Sequence, residues 1–161
     1  MLRDTNQRQR DLAWDTSWNN PIYLQMGVNV RAVEGFFSAL AAHDLKIVDF
    51  GCGTKPYADY AKGNQYIGID IDTKNVEADI FSSVENVPIE DDFADLVCSF
   101  HVLEHTYEPR KVLSEMSRVL KPGGEAFLTV PFLWEEHEQP YDFYRFTQFA
   151  LINLMKDAGF S

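Results

Sequence analysis

The chain has little that would suit it to a membrane, a disulfide scaffold or a nucleic-acid backbone. No apolar run in its 161 residues approaches the roughly 20 needed to cross a bilayer. Residues 1–15 are polar and charged, unlike a secretory leader, so the expected compartment is the cytoplasm. Cys52 and Cys98 are the only cysteines; one falls in a glycine turn and the other in an apolar segment, so no disulfide framework is expected. Lysine and arginine total 14 against 25 aspartates and glutamates, a net charge of -11. That balance lacks the basic footprint of a broad DNA- or RNA-binding surface, although a local basic patch stays open. What the chain does have is 45% apolar residues, enough for one core and one expected domain over residues 1–161.

The chain is organised around Lys46-Ile47-Val48-Asp49-Phe50-Gly51-Cys52-Gly53. An apolar run reaches an acid, and two glycines follow at alternate positions, which reads as a buried strand entering a tight turn. Thr54 and Pro56 suit a helix start. Pro56 stands where a dinucleotide fold wants a third glycine, and Lys55-Pro56 replaces the Lys-Ser/Thr of a phosphate loop. The turn is therefore a ligand cradle that is not built for phosphates.

Around it, the chain alternates in type. Val30, Val33, Phe36, Phe37 and Leu40 follow helical spacing. A short helix over residues 57–62 leads to a strand over Gln65–Asp70, and residues 77–80 read as a third strand. Residues 82–92 have no period; Ala94–Phe100 reads as a strand buried on both faces. Val112, Leu113, Met116, Val119 and Leu120 share one helical face, stopped by Lys121-Pro122-Gly123-Gly124, and residues 125–130 form a fifth strand. Thr147 is placed to cap a last helix in which Phe149, Ile152, Leu154, Met155 and Ala158 are expected to be mostly buried. The series implies an α/β fold with a parallel sheet covered on both faces. Residues 1–27, with Trp14 and Trp18, read as an arm, either a lid or a surface strap. Asp70 lies 21 residues after Asp49, where nucleotide-binding α/β folds place an acid on ribose hydroxyls; Asp72 is a neighbouring alternative.

The Asp49-x-Gly51-x-Gly53 pattern, the acid at Asp70, Asp79, the segment after strand four and the Leu120-Lys121-Pro122-Gly123-Gly124 turn occur in the order seen in class I S-adenosylmethionine (SAM) methyltransferases. The stretch from about Ile47 to Pro131 resembles their small type 11 group. The resemblance implies a three-layer Rossmann-like sheet, mostly parallel, with SAM as cofactor. It implies that Asp49, Gly51, Cys52, Gly53, Phe100 and His101 meet the methionine end of SAM, Asp70 and Ile71 the ribose side, and Asp79 and Ile80 the adenine. The family often has a further glycine where this chain has Lys55, and it adds two strands after the point where residue 161 falls. Their absence implies either a truncated chain or a sheet ending in strand five, whose bare edge invites a homodimer.

His101-Val102-Leu103-Glu104-His105 follows strand four. It matches the zinc motif H-x-x-E-H, which would make the chain a hydrolase with His101 and His105 as ligands and Glu104 activating water. Pro109 cuts that helix short, and no third ligand is singled out, so no metal is expected. Under the methyltransferase resemblance, His105 is the first candidate base and His101 the second. His137, Tyr141, Asp142, Tyr144 and Arg145 are the candidate acceptor pocket, with Arg145 suited to a carboxylate or phosphate. The acidic chain points to a small-molecule acceptor, and the Tyr-Asp-Phe-Tyr-Arg-Phe-Thr ending resembles enzymes of sugar and glycan pathways. The remaining alternative is a non-catalytic SAM-binding subunit, recognised by binding without turnover.

Overall fold

The computed structural model describes residues 23–40, 43–73 and 77–161. The expected arm lies mostly outside them, including Trp14 and Trp18, so the lid or strap expected there falls outside the described residues. Where the arm was expected to continue, α1 (Tyr23–Ala39) has already begun. Five strands follow: β1 (Lys46–Phe50), β2 (Gln65–Asp70), β3 (Ile80–Phe81), β4 (Ala94–Phe100) and β5 (Leu120–Thr129). With α2 (Pro109–Val119) and α3 (Gln148–Asp157) they form one sheet of order β3-β2-β1-β4-β5 in which every pairing is parallel.

Period-two alternation sorts the strand side chains onto two faces. Ile47, Leu96, Cys98 and Phe100 pack with Val33 and Phe37 of α1. Val48, Phe50, Ile69 and Val97 pack with Val112, Leu113, Met116 and Val119 of α2. Strands buried on both faces cannot alternate with polar residues, which is why β1 and β4 read as continuous apolar runs. Each fully buried aliphatic side chain contributes on the order of 1.5–3 kcal/mol.

Several local expectations change. Residues 57–62 supply only a short 3-10 turn, Ala58–Ala61. The third strand is shorter and begins at Ile80, because Asp79 turns its side chain to the Gly68 amide. The fifth strand starts at Leu120 and runs through the expected turn, with a register shift opposite Ala94 and Leu96. Pro122 is tolerated there because β5 is an edge strand among the described residues. Thr147 does cap α3, accepting from the Ala150 amide at 3.1 Å. That helix was expected to bury Phe149 and Ile152; both are exposed, since α3 reaches the core only through Leu151, Leu154, Met155 and Ala158.

The aperiodic stretch after β3 is held by side chains instead of by a helix of its own. Arg118 of α2 donates to the carbonyls of Val87 and Ile89 and to Asp91, while Glu115 accepts from the Val87 amide at 3.0 Å.

Candidate functional site

All five strands run the same way, so the turns after β1, β2 and β4 share one end of the sheet. β1 lies between β2 and β4, and the chain leaves it in opposite directions; open parallel sheets bind ligands at this switch point. The pairing of β1 with β4 stops at Asp49–Cys98. Beyond it the Phe50 carbonyl is met by the Ser99 hydroxyl at 3.0 Å, and the strands part.

Gly51 has φ +81°, and a Cβ there would lie 2.4 Å from Cγ2 of Val102. Conformation and space both demand glycine. The Gly51 and Cys52 amides donate to the Ile69 carbonyl, tying the turn to β2. Asp70, at the end of β2, accepts from the amides of Gly53 and Asp72, each at 2.9 Å. One donor per oxygen leaves each carboxylate oxygen a second lone pair for a ligand hydroxyl. Exposed Ile71 follows it, an apolar surface beside the acid.

Asp49 is buried in the β1 layer. Its Oδ2 accepts from the Tyr66 hydroxyl at 2.6 Å, whereas the buried Oδ1 has no hydrogen-bond partner. Burial pushes its carboxyl up to about 7, against the Tyr66 bond that lowers it. The same burial pushes the Cys52 thiol up to about 12, so Cys52 lines the turn as a neutral group.

Lys55 explains its own departure from the usual glycine. Its φ is 51°, a left-handed conformation that glycine takes more easily. Its side chain crosses Gly68, where a Cβ would meet Lys55 Cε at 2.6 Å and Cys52 Sγ at 2.5 Å. It ends on Asp79 Oδ2 at 2.7 Å, and the Gly68 amide donates to the same oxygen at 2.7 Å. These bonds, set against the desolvation of the group, hold the Asp79 carboxyl below the ordinary range. Nothing in the bare sequence marks this bridge.

After Phe100 the chain turns at His101, whose φ is 56°. Residues Leu103–His105 make a single 3-10 turn, so His101 and His105 do not share the helical face that a zinc pentad needs. His101 Nε2 lies 3.0 Å from the Asn29 amide nitrogen of α1, a partner with no sequence signal. His105 Nδ1 lies 2.7 Å from the Tyr141 carbonyl, and its ring stands edge-on to His137 at 4.7 Å. Between the histidines sits Glu104, wholly buried, with neither carboxylate oxygen hydrogen-bonded.

The structure therefore brings His101, His105 and His137 together around Glu104. Tyr141, Asp142, Tyr144 and Arg145 lie on the loop above, joined to Glu104 by the amides of Phe143 and Tyr144, which donate to its carbonyl. Asp142 accepts from Arg145 on both oxygens and from the His137 amide; despite desolvation, these hold its carboxyl down to about 2. Arg145 also donates to the carbonyls of Trp134, Glu135 and Tyr144, so its donors are engaged inside the loop. Tyr144 donates to the Tyr107 carbonyl. A cleft of about 590 Å³ lies beside this loop, lined by Tyr107, Arg110, Tyr144, Ala150 and Leu154 among others.

These features fit a ligand with a ribose, an apolar ring and a cationic amine: a half-satisfied acid at Asp70, the surface of Ile71, and a buried Asp49 oxygen lacking a strong donor. Comparison with known proteins points the same way. Residues 48–128 match the methyltransferase domain family. A protein of Mycolicibacterium smegmatis named a "probable S-adenosylmethionine-dependent methyltransferase" is 30% identical over 96 residues, 53% of this chain and 37% of that protein. A ubiquinone biosynthesis O-methyltransferase of Chromobacterium violaceum is 32% identical over 100 residues, 52% of this chain and 43% of that enzyme. The chain thus spans less than half the length of either relative. The crystal structure of a SAM-dependent methyltransferase from Thermotoga maritima superposes with a TM-score of 0.63 at 23% identity, covering 86% of this chain and 78% of the other. With the family match spanning half of the sequence and the glycine turn, Asp70 and the parallel sheet all in their places, the chain belongs to the SAM-dependent methyltransferases of the methyltransferase domain family.

Proposed function

We propose that this chain transfers a methyl group to a hydroxyl of a small-molecule acceptor. When bound, SAM supplies an electrophilic methyl on a sulfonium, and the acceptor oxygen displaces a neutral thioether as its own proton leaves. The residues of the chain divide the remaining work. The Gly51–Cys52–Gly53 turn, Asp49, Phe100 and His101 would hold the methionine end, Asp70 and Ile71 the ribose side, and Asp79 with Ile80 the adenine. Asp79 would meet the base while keeping Lys55, since Lys55 and the Gly68 amide both bond the same oxygen, Oδ2.

The observation that carries the hydroxyl reading is Glu104 buried among imidazoles at the mouth of the crevice. A neutral amine can attack before it loses a proton, whereas a hydroxyl must give its proton up, so an apparatus for proton removal belongs with oxygen. His105 presents Nε2 to Glu104 and is the group we assign to that proton, with His101 second. His137, Tyr141 and Tyr144 shape the acceptor side. Asp142 and Arg145 enter as struts of the loop and leave the acceptor's charge open. The net charge of -11 supports a small acceptor over nucleic acid.

The test is calorimetric titration with S-adenosylhomocysteine, then a screen of hydroxylated acceptors, sugars included, for SAM turnover. Micromolar binding is expected, weakened tenfold or more (~1.4 kcal/mol) by Asp70→Ala. Binding without turnover on any acceptor class, in a chain extended to its relatives' length, would support the non-catalytic subunit instead. A folded chain that does not bind S-adenosylhomocysteine would end the proposal.

A further inference from the structure

A buried carboxylate with no hydrogen bond costs several kcal/mol unless a counter-charge meets it. Glu104 is in that position: it has no exposed surface, and both side-chain oxygens lack hydrogen-bond donors. Nδ1 of His101 lies 3.5 Å and Nε2 of His105 3.8 Å from Oε1, beyond good hydrogen-bond distance, and the Arg145 charge acts on Glu104 without a hydrogen bond to it. One ligand atom each from Glu104, His105 and His137 lies within 4.8 Å of the others.

The two imidazoles are already oriented. Nδ1 of His105 is 2.7 Å from the Tyr141 carbonyl oxygen, a contact that requires the proton on Nδ1. Nδ1 of His137 is 3.1 Å from the Glu135 carbonyl oxygen and 3.3 Å from Asp142 Oδ2, two acceptors that outweigh the more distant Arg145 guanidinium at 3.5 Å and favour the proton on Nδ1. Asp142 is itself fixed by the two bonds from Arg145. Each ring is thereby left with a lone pair on Nε2, the arrangement in which metal-ligating histidines are held by carbonyls and carboxylates behind them. Both histidines are half-buried, so an ion between them can be reached from the acceptor side.

We propose that Glu104, His105 and His137 bind one divalent first-row transition-metal cation, of the zinc, manganese or cobalt class that two imidazoles and a carboxylate suit. Ligands of a tetrahedral ion at about 2.1 Å lie about 3.4 Å apart, so closing the set takes a side-chain movement of about an ångström. Three protein ligands leave a coordination position open. The sequence pentad pointed to His101 as a ligand; the structure replaces it with His137, which lies 32 residues after His105. Resting on the hydroxyl reading above, the open position would take the acceptor oxygen. With the metal bound, the O–H proton passes to solvent and the C–O bond forms as the methyl C–S bond breaks; His105 is then a ligand, and the base role given to it above belongs to the metal-free chain.

The test uses the full chain stripped with chelator and titrated with zinc, manganese and cobalt salts, with visible absorption recorded for cobalt. One ion per chain is expected, with cobalt bands that show nitrogen ligation. Glu104→Gln and His137→Ala should each weaken binding tenfold or more (~1.4 kcal/mol), and His43→Ala, on the surface away from the cluster, should leave it unchanged. Glu104→Gln is nearly isosteric and His137 lies on a loop, so both variants are expected to fold, and thermal melts are the check on that. Absence of stoichiometric binding up to about 1 mM metal, or unchanged binding in both variants, would overturn the inference. S-adenosylhomocysteine titrated into the same samples separates the two readings: cofactor binding without metal binding sinks the metal site alone.

Discussion

Replacing Asp49 by asparagine should stabilise the protein, and more so as pH rises. The buried carboxyl keeps its proton up to about 7, whereas in the unfolded chain it ionises near 3.8. The folded state therefore binds the proton more tightly, and stability falls as pH climbs through that interval. At about 1.4 kcal/mol per pH unit, the interval amounts to roughly 4 kcal/mol above pH 7 and to less than half of that at pH 5. Asparagine removes this term and still accepts the Tyr66 hydroxyl. It also brings an amide N–H₂ where Oδ1 has no N–H or O–H donor, at a cost of about 1–2 kcal/mol. The net expectation is little change at pH 5 and a gain of about 2–3 kcal/mol at pH 8, or roughly 5–10 °C in Tm. Melting curves of the ligand-free wild type and variant across that range provide the assay. A Tm difference that does not change with pH, or a variant less stable than wild type at pH 8, would refute the reasoning. In titrations with S-adenosylhomocysteine the same variant should bind more weakly, because Asp49 would have lost its charge for the ligand amine.

Three further outcomes follow from particular contacts. Gly51→Ala should cost at least 2 kcal/mol from its left-handed φ and the clash with Val102; chemical denaturation reads it, and Val102→Ala in the same chain should restore the steric part only. Arg118→Ala should cost about 2–3 kcal/mol, since it strips donors from the Val87 and Ile89 carbonyls and leaves Glu115 with only the Val87 amide as a donor. Thr147→Ala should cost about 1 kcal/mol through loss of the α3 cap, with fraying seen by amide exchange confined to that helix.

The sheet was legible because burial on both faces writes β1 and β4 as apolar runs, and because glycines mark the turn that follows β1. β2 and β4 begin and end where the sequence places them. β5 was harder, since an edge strand tolerates Pro122 and the two glycines that read as a stop. Phe149 and Ile152 misled because spacing shows which residues share a helix face and not whether that face meets the core. In the site, Asp49, Asp70 and the pentad stood out by position. The Lys55–Asp79 bridge, the Asn29–His101 contact and the approach of His137 to Glu104 depend on tertiary geometry, and no local pattern encodes them.

The Ser99 hydroxyl on the Phe50 carbonyl acts like the stop on a zipper. It fixes the point at which two strands separate, and so the depth of the opening between them. Without it the buried Phe50 carbonyl would lose the side-chain donor that meets it beyond the last strand pair. A hydroxyl one ladder step past the last strand pair thus marks where the backbone ladder ends and the turns that would hold a ligand begin.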